Sequence, residues 1–470
     1  MILEKFRTAE RTFSGREQSC SWFRLALVGL LLMGVGRGVL AQPGMDVKIT
    51  FGPAFEKVNL SDNEYLNRAK MFLDTALRYS RDQEGRIMVG VDLETMEPKG
   101  GMDPNEDINV YRLCYLTTYL TGDSSYSRMA DTSHTLFFRE SMGLGGTFSW
   151  GEGGDNCEHA GVPSLMDDYW RIDPSRMLVA AQAYWETGIY DKENGFYNRH
   201  CNTQSHMEYP RHGAFYMFHW GEAFKRTLDK TFMVYISRLV RMFESIRDPE
   251  VGFVPTTYTN DGNGRMWQNL SAGVEMGTQL PYFPKNSETT DSIRQFVLQN
   301  DDVVTRLGFP TSVNRAWLHR GLHLTCAAMP GEARYWQLQE MNKFDMAAMY
   351  RQGLITLADR WIDQDLTEVC SSGQFGHAIH ALIVARYLTG NDAYIARAKE
   401  LVDAAIQKLW QGPLPVVYAE GTGMSKDGLY TNSGGSDNNS GVAMLPLAIF
   451  MLGYELEHPN SHFFHPSIDR

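Results

Sequence analysis

The sequence predicts an all-α protein, an (α/α) toroid of helical hairpins with long loops over one end. Three observations predict this fold class. Apolar residues recur with the 3.6-residue period of a helix, strand patterns are few and short, and one helix-ending segment occurs twice. Glycine- and aspartate-rich loops separate the helices. Unequal hairpins joined by such loops favour a closed toroid over an α-solenoid, since the loops can build a site at one end.

The duplicated segment is the strongest sign of internal organisation. The run YLTGDSSY at Tyr119–Tyr126 recurs as YLTGNDAY at Tyr387–Tyr394, and a weaker relative ends at Tyr190. In each full copy we expect a helix to end at a glycine cap, a tight turn to begin at Asp123 or Asn391, and the tyrosine to open the next helix. The sequence therefore predicts the same helical hairpin twice.

The remaining helices follow from periodic apolar segments. In chain order these predict helices over Tyr65–Ser80, Ser175–Thr187, Ala214–Ile246, Ala347–Gln364, Phe375–Leu388, Tyr394–Trp410 and Val442–Glu457.

The N-terminus predicts a secretory signal peptide over residues 1–41. Basic residues precede the apolar run 25–36, and Val39 and Ala41 supply small residues before a cleavage point at Gln42. An uncleaved anchor is the alternative, although the run is short for a membrane span. We expect a secreted or periplasmic protein, with 42–470 as one catalytic domain and no stable membrane insertion after cleavage.

Composition limits the function classes. The 470 residues are 43% hydrophobic and 21% charged, which is typical of a globular protein with a large core. The net charge is −12, and removing 1–41, with six basic and three acidic side chains, makes it −15. A general nucleic-acid binder needs a basic face, so nucleic acid is excluded as a partner. The 10 Trp and 22 Tyr suit a groove that stacks on sugars, although large helical cores also use aromatic residues.

Cofactor and metal signals are weak. Five cysteines remain after residue 41, and their spacing contains no CxxC, so we expect mostly buried thiols with one bridge possible. There is neither a Walker A motif nor a dinucleotide fingerprint in a βαβ setting. We therefore predict no cofactor and no metal site, with convergence of His206, His212, Glu158 and His159 on a metal as the alternative.

The duplicated hairpins, the secretory leader and the polar-aromatic region around 200–222 resemble α/α-toroid polysaccharide lyases that act on alginate or other polyuronates, and related hydrolases. The resemblance covers most of 55–457. It implies a lyase that cleaves an anionic polysaccharide, alginate or glucuronan-like, by β-elimination. Such an enzyme must neutralise the uronate carboxylate, remove the C5 proton and protonate the leaving oxygen.

The residue types needed for that reaction are concentrated between Arg199 and Glu222, where four of the 13 histidines lie. The resemblance implies His200 or His212 as base, Tyr209 or the more distant Tyr258 as proton donor, and Arg211 as carboxylate neutraliser. A helix beginning near 212–214 would put His212, Tyr216 and His219 on one stripe. Substrate-binding candidates in this segment and in the loop 150–159 are Arg199, Asn202, Tyr216, His219, Trp150, Asn156 and His159.

Alternatives stay open. The histidine stripe could be a core stripe facing a neighbouring hairpin, and so could Arg315, His319 and His323, or the pair His377 and His380. A glycoside hydrolase on the same toroid would need two carboxylates about 5–10 Å apart. The carboxylates on offer are Asp155, Glu158, Asp167, Asp168 and Glu222. A non-catalytic glycan-binding protein would need only the aromatic residues.

Overall fold

Fourteen α-helices make up most of the described residues. The computed structural model describes residues 62–102, 108–141, 163–197, 211–250, 252, 254–255, 266–307, 328–369, 371–417 and 442–459. The helices are α1 Glu64–Ser80, α2 Ile108–Thr121, α3 Ser125–Ser141, α4 Pro163–Ile172, α5 Pro174–Ala183, α6 Arg211–Thr227, α7 Thr231–Ile246, α8 Met266–Gln279, α9 Glu288–Leu307, α10 Ala328–Glu340, α11 Phe344–Ile362, α12 Ser372–Thr389, α13 Ala393–Leu409 and α14 Met444–Glu457.

The even-numbered helices form an inner layer and the odd-numbered helices an outer one. Helix α12 is buried on all sides from Ser372 to Ala385, and α14 from Met444 to Glu455. By contrast, α13 buries a single stripe that includes Leu401. A helix that is apolar all round lies inside a larger assembly, whereas an amphipathic one covers its surface. The burial pattern therefore separates two concentric layers.

The inner helices form a closed ring. Successive even-numbered helices pack together from α4 through α6, α8, α10, α12 and α14 to α2. Helix α3 packs against both α2 and α4 and joins the two ends of this series, and α14 also packs against α1. The described residues all belong to the compact unit Gly52–Arg470. The predicted all-α toroid is confirmed.

The inner helices run parallel. A Cβ placed on Gly376, near the start of α12, would lie 2.7 Å from the main chain of Met444, the first residue of α14. At the other end of the same two helices, Arg386 pairs with Glu455 at 3.1 Å. Gln279 and Glu222 likewise join the last turns of α8 and α6. The N-termini of the inner helices therefore share one end of the ring, and their C-termini share the other.

The duplicated segment forms the same turn twice, as predicted. Gly122 and Gly390 have φ of 77° and 71°, a left-handed conformation that glycine adopts without steric cost. The hydroxyl of Thr121 accepts from the amide of Asp123 at 3.1 Å, and Thr389 accepts from Asn391 at 3.1 Å. Asp123 and its equivalent then cap the next helix. This short turn joins an inner helix to its outer partner.

The predicted single helix Ala214–Ile246 was wrong, because a third copy of this turn divides it into α6 and α7. The hydroxyl of Thr227 accepts from the amide of Asp229 at 3.2 Å, and Asp229 accepts from the amide of Thr231 at 2.9 Å. Leu228 stands in the glycine position with φ of 59° and is 57% exposed. The turn is hard to recognise in the sequence because leucine, unlike glycine, does not signal the end of a helix.

Two small antiparallel hairpins lie at the opposite end from these turns. Strands β1 Gly90–Asp92 and β2 Glu97–Lys99 pair, as do β3 Ile189–Asp191 and β4 Phe196–Tyr197. The weaker relative of the duplicated segment differs from the two full copies. After α5 the chain makes one π-helical turn, Tyr184–Gly188, and then enters β3 rather than another helix.

A second kind of turn is also repeated. It follows the outer helices α1, α5 and α7, in the connections that lead to the next inner helices. The carboxylates of Asp82, Asp191 and Asp248 each accept a hydrogen bond from the amide two residues ahead, at 2.9–3.1 Å. Glycines 85, 195 and 252 follow with φ between 81° and 96°. These turns begin the connections from outer to inner helices, so both ends of the hairpin unit repeat along the chain.

The other predicted helices agree with the observed bounds within a few residues. Cys114 is buried and unbridged, while Cys157, Cys201, Cys326 and Cys370 lie outside the described residues, as does the predicted signal peptide. Among the helices that the structure describes, none has the length and apolar character needed to cross a bilayer.

Candidate functional site

The two ends of the ring differ in the length of their connections. At the C-terminal end of the inner helices, α2, α6, α10 and α12 join their outer partners through three residues each. At the N-terminal end, the connections from outer to inner helices include 142–162, 184–210 and 308–327. We call this the loop end and the other the turn end. Binding residues concentrate on long loops held by a rigid scaffold, so the loop end is the candidate site.

Five polar residues of the inner helices lie toward the loop end, and we call them the ring-end cluster. Glu332, His377 and His380 are 5%, 2% and 0% exposed, Asn109 is buried as well, and Arg112 is half-buried. They come from α10, α12 and α2. Buried ionisable groups are costly and persist where partners or function compensate for the lost hydration. Because the long connections attach at the same end, we take these residues as the candidate site.

Two hydrogen bonds organise the cluster. The guanidinium of Arg112 donates to the Oδ1 atom of Asn109 at 3.0 Å, within the first turns of α2. Between the neighbouring inner helices α10 and α12, the Nε2 atom of His380 lies 3.1 Å from the Oε2 atom of Glu332. This hydrogen bond ties α10 to α12 through two buried side chains.

The electrostatics of the cluster keep one imidazole neutral. The pKa of His377 is lowered to about 3, mainly by burial, with smaller contributions from His380 and Arg112. Burial raises the pKa of Glu332, while the hydrogen bond with His380 opposes that shift. At neutral pH, His377 is therefore an uncharged imidazole.

The loop end also carries a positive potential from the backbone. Each helix N-terminus carries about half a unit of positive charge, and the parallel inner helices all direct this end the same way. Ser371 caps the N-terminus of α12 through a reciprocal pair of hydrogen bonds with Gln374. The hydroxyl and amide of Ser372 donate to Val416 and Val417, so the chain before α14 also lies here. This arrangement favours an anionic ligand.

Most sequence-predicted site residues lie outside the described residues. Arg211 and His212 form the first turn of α6, which is at the loop end, but their side chains are not described. The others that fall outside are Trp150, Asn156, His159, Arg199, His200, Asn202, Tyr209 and Tyr258. The roles given to all ten stay predictions.

Tyr216 and His219 are described, and both lie among aromatic residues. Each ring contacts that of Tyr184, which confirms that the two share a stripe of α6. The Nδ1 atom of His219 lies 3.3 Å from the sulfur of Met166, and burial lowers its pKa to about 3. Neighbouring side chains cover both residues in this structure, and their substrate-binding role stays a prediction.

The turn end carries a different polar group. Lys225 and Arg226, which the sequence suggests as part of a positive cleft, each pair with the buried carboxylate of Glu222 at 3.4 Å. The side chain of Lys225 also lies over the ring of Tyr282. Fourteen residues of helix separate Lys225 from Arg211, about 21 Å along the axis. These two cations therefore lie at the opposite end of α6 from its first turn.

Two of the carboxylates considered for a hydrolase, Asp168 and Glu222, have described side chains. Asp168 pairs with Arg171 at 2.9 Å on α4, and Glu222 lies at the turn end. Asp155, Glu158 and the side chain of Asp167 are outside the described residues. Within the part of the chain that the structure describes, no three His, Cys, Asp or Glu residues are arranged to hold a metal ion.

Sequence reasoning did not assign the ring-end cluster. His377 and His380 were visible as a helical pair, but Glu332 is 48 residues from His380, and Arg112 belongs to a helix more than 200 residues earlier. Only ring closure brings α2 near α12, and no local spacing encodes that closure.

Comparison with known proteins gives little further information. No protein-family model matches the chain, and neither does any curated protein. Among solved structures, the chain is similar to cellobiose 2-epimerase from Bacillus thermoamylovorans B4167, with 12% identity and a TM-score of 0.44. The similarity covers 84% of this chain and 97% of that protein. The fold class therefore rests on the helix packing described above.

Proposed function

We propose that this protein is a secreted polysaccharide lyase that cleaves a uronate-containing polymer, of the alginate or glucuronan type, by β-elimination. The observation that carries the proposal is the ring-end cluster. An arginine, two histidines and a carboxylate lie at the end where the long connections attach. Proton abstraction beside a carboxylate needs these residue types together.

The reaction moves one proton from carbon and delivers one to oxygen. A base removes the C5 proton, and the C5–H electron pair becomes the C4–C5 double bond. The C4–O bond breaks, and the leaving oxygen takes its electron pair and a proton from an acid. The C5 proton becomes acidic only when the adjacent carboxylate is neutralised, because charge then spreads onto its oxygens as an enediolate.

The loop-end residues supply each of these roles. His200 or His212 serves as base, Tyr209 or Tyr258 protonates the leaving oxygen, and Arg211 binds the carboxylate. Two of these, Arg211 and His212, belong to the first turn of α6. That position supports the assignment, since the ring-end cluster lies at the same end of the ring.

The distribution of charge is compatible with an anionic substrate, although the net charge of the protein is negative. A polyuronate approaching a chain of net charge −12 needs a local positive region. The inner helix N-termini and Arg112 provide one at the loop end. Substrate binding should weaken as salt rises, since exposed charges are screened beyond about 8 Å at physiological ionic strength.

One assay tests the proposal. The protein is incubated with alginate, glucuronan, pectate and glycosaminoglycans, while ultraviolet absorbance of unsaturated uronate and new reducing ends are followed together. Absorbance that grows in step with reducing ends is the expected result. Reducing ends without absorbance would replace the lyase with a hydrolase. Binding without either product would leave a glycan-binding protein.

A further inference from the structure

We propose that the β-hairpin β3–β4 supports the first turn of α6, and that Tyr197 of this β-hairpin is a positioning residue for Arg211 and His212. The inference rests on the proposed function, in which Arg211 binds the uronate carboxylate and His212 is a candidate base. Tyr197 acts through the main chain of the turn that carries them, at the loop end. It therefore positions the reacting groups without being one of them.

Gly213, the third residue of α6, is where the support meets the helix. A Cβ placed on Gly213 would lie 3.0 Å from the hydroxyl oxygen of Tyr197 and 2.3 Å from the Cζ atom of Phe243 on α7. A side chain does not fit at such distances, so only glycine lets the main chain come this close. Tyr197 and Phe243 are both fully buried, and their rings pack edge to face at 6.5 Å. Two buried rings therefore hold the main chain directly after Arg211 and His212.

The β-hairpin is itself fixed to both α6 and α7. Its strands pair Ile189 with Tyr197, and both of these side chains are buried. At its turn, a Cβ on Gly195 would lie 2.5 Å from the main-chain oxygen of Arg238 on α7, whose guanidinium donates to a carbonyl of the same turn at 2.5 Å. On the other side, the ring of Tyr197 packs edge to face against Tyr216 of α6 at 5.4 Å. The β-hairpin is therefore a support with contacts at both of its ends.

The π-helical turn before β3 contacts α6 one turn further along. A Cβ on Gly188, its last residue, would lie 3.1 Å from the hydroxyl oxygen of Tyr216. Tyr184, its first residue, packs edge to face against the same ring at 5.9 Å. Turns of this kind are rare and often occur at functional sites. The π-helical turn and the β-hairpin together cover α6 from Gly213 to Tyr216.

The other end of α6 supplies a matched control. Gly221 also has a close neighbour, since a Cβ on it would lie 2.8 Å from the Cγ atom of Gln279 on α8. Ten residues, about 15 Å along the helix axis, separate Gly221 from Arg211. Gly221→Ala therefore disturbs the packing of the same helix at the turn end, away from its first turn.

The kinetic test is made on the polymer that is cleaved, far below the melting temperature of each variant. Gly213→Ala should lower kcat/KM about 10²-fold, because a displacement of about 1 Å costs that much when it moves reacting groups. Phe243→Leu removes the Cζ atom, so adding it to Gly213→Ala should recover about tenfold. Tyr197→Ala should also lower kcat/KM, whereas Tyr197→Phe keeps the ring and should retain most of the activity.

Gly221→Ala separates positioning from lost packing. It should lower the melting temperature and leave kcat/KM within about threefold of the unmodified protein. The inference is overturned, and the proposed function stands, if Gly213→Ala and Tyr197→Ala stay in that range while the unmodified protein releases unsaturated uronate. A loss in Gly221→Ala as large as that in Gly213→Ala would also overturn it, since activity would then follow the packing of α6 as a whole.

Hydrogen exchange distinguishes failure of the inference from failure of the proposed function. The amides of residues 215–217 bond to the carbonyls of 211–213, so their exchange reports on the first turn of α6. Gly213→Ala should speed this exchange about tenfold or more, and Gly221→Ala should not. If no unsaturated uronate forms but Gly213→Ala has this effect, the support stands and the lyase proposal fails. If no product forms and the exchange is unchanged, both are overturned.

Discussion

The two ends of the toroid differ in the connections between their helices. At the turn end, three connections use one hydrogen-bonding scheme, with a threonine hydroxyl, a left-handed residue and an aspartate or asparagine cap. At the loop end, the connections differ in length and the inner helices carry histidine, glutamate and arginine. The comparison indicates that the repeated turns hold the hairpins of the ring together, and we propose that the chemistry lies at the end with the long connections.

The largest expected difference between variants of the two ends is in kcat. Replacing a required base or acid at the loop end should lower kcat by about 10²–10⁴ without changing the helical circular dichroism spectrum. The variants are His200→Ala, His212→Ala, Tyr209→Phe and Tyr258→Phe, measured by release of unsaturated uronate. Near-native rates in all four would show that the base and acid are elsewhere, and the loop bearing Asn156 and His159 would be tested next.

The next prediction concerns the loss of stability in acid that two buried histidines cause. Burial lowers the pKa of both His134 and His377 to about 3. A depressed folded-state pKa gives stability that is present above the unfolded value near 6.5 and is lost as pH falls toward 3, because the unfolded chain takes up the proton first. Each histidine should contribute a slope of up to about 1.4 kcal/mol per pH unit in this window.

His134→Gln and His377→Gln should therefore both flatten the pH dependence of the unfolding free energy between pH 6 and pH 4, measured in urea. His134 stacks on Tyr111 in the first turn of α2, so both histidines lie toward the loop end and should behave alike. A pH dependence as steep as that of the unmodified protein would contradict the lowered pKa of the replaced histidine.

The turn end should respond through backbone conformation alone. Gly390→Ala introduces a Cβ that meets no heavy atom within 4 Å, so the substitution changes only the cost of φ at 71°. We expect a loss of about 1 kcal/mol of unfolding free energy, with kcat unchanged. An unchanged denaturation midpoint would mean that this turn does not hold its left-handed residue in solution.

Leu228→Gly should have the smallest effect on the unfolding free energy, and it should raise that free energy rather than lower it. The leucine already occupies the left-handed position with φ of 59°, and its side chain is largely exposed. Glycine should raise the unfolding free energy by about 0.5 kcal/mol, because relief of the backbone strain exceeds the entropy that glycine gains on unfolding. Leu228→Ala is the control, as it keeps the strain and removes the side chain. Equal stability of the two variants would exclude backbone strain as the cause.

The same contrast explains what the sequence could predict. Local patterns encode the helices and the turns at Gly122 and Gly390, since periodicity and a glycine cap act within a few residues. The turn at Leu228 was missed because its left-handed residue is not glycine, although Thr227 and Asp229 match the pattern. The aspartate turns beginning at Asp82, Asp191 and Asp248 also repeat, and their spacing to a glycine was a usable signal.

The site was harder to predict because it depends on closure of the ring. The contact of Glu332 with His380, and that of Asn109 with Met444, join helices that are distant in sequence. Histidines are also poor markers of function by themselves. His134, His219 and His377 are all fully buried with lowered pKa values, yet they lie in different surroundings.

Hydrogen exchange with and without a uronate oligomer tests the central claim, that the loop end is the functional end, most directly. Peptides covering the first turns of α2, α6 and α12 and the connections before them should gain protection on binding. Peptides covering the turns at 121–125, 227–231 and 389–393 should exchange at the same rate in both conditions. Protection confined to those turns, with none at the loop end, would contradict the account.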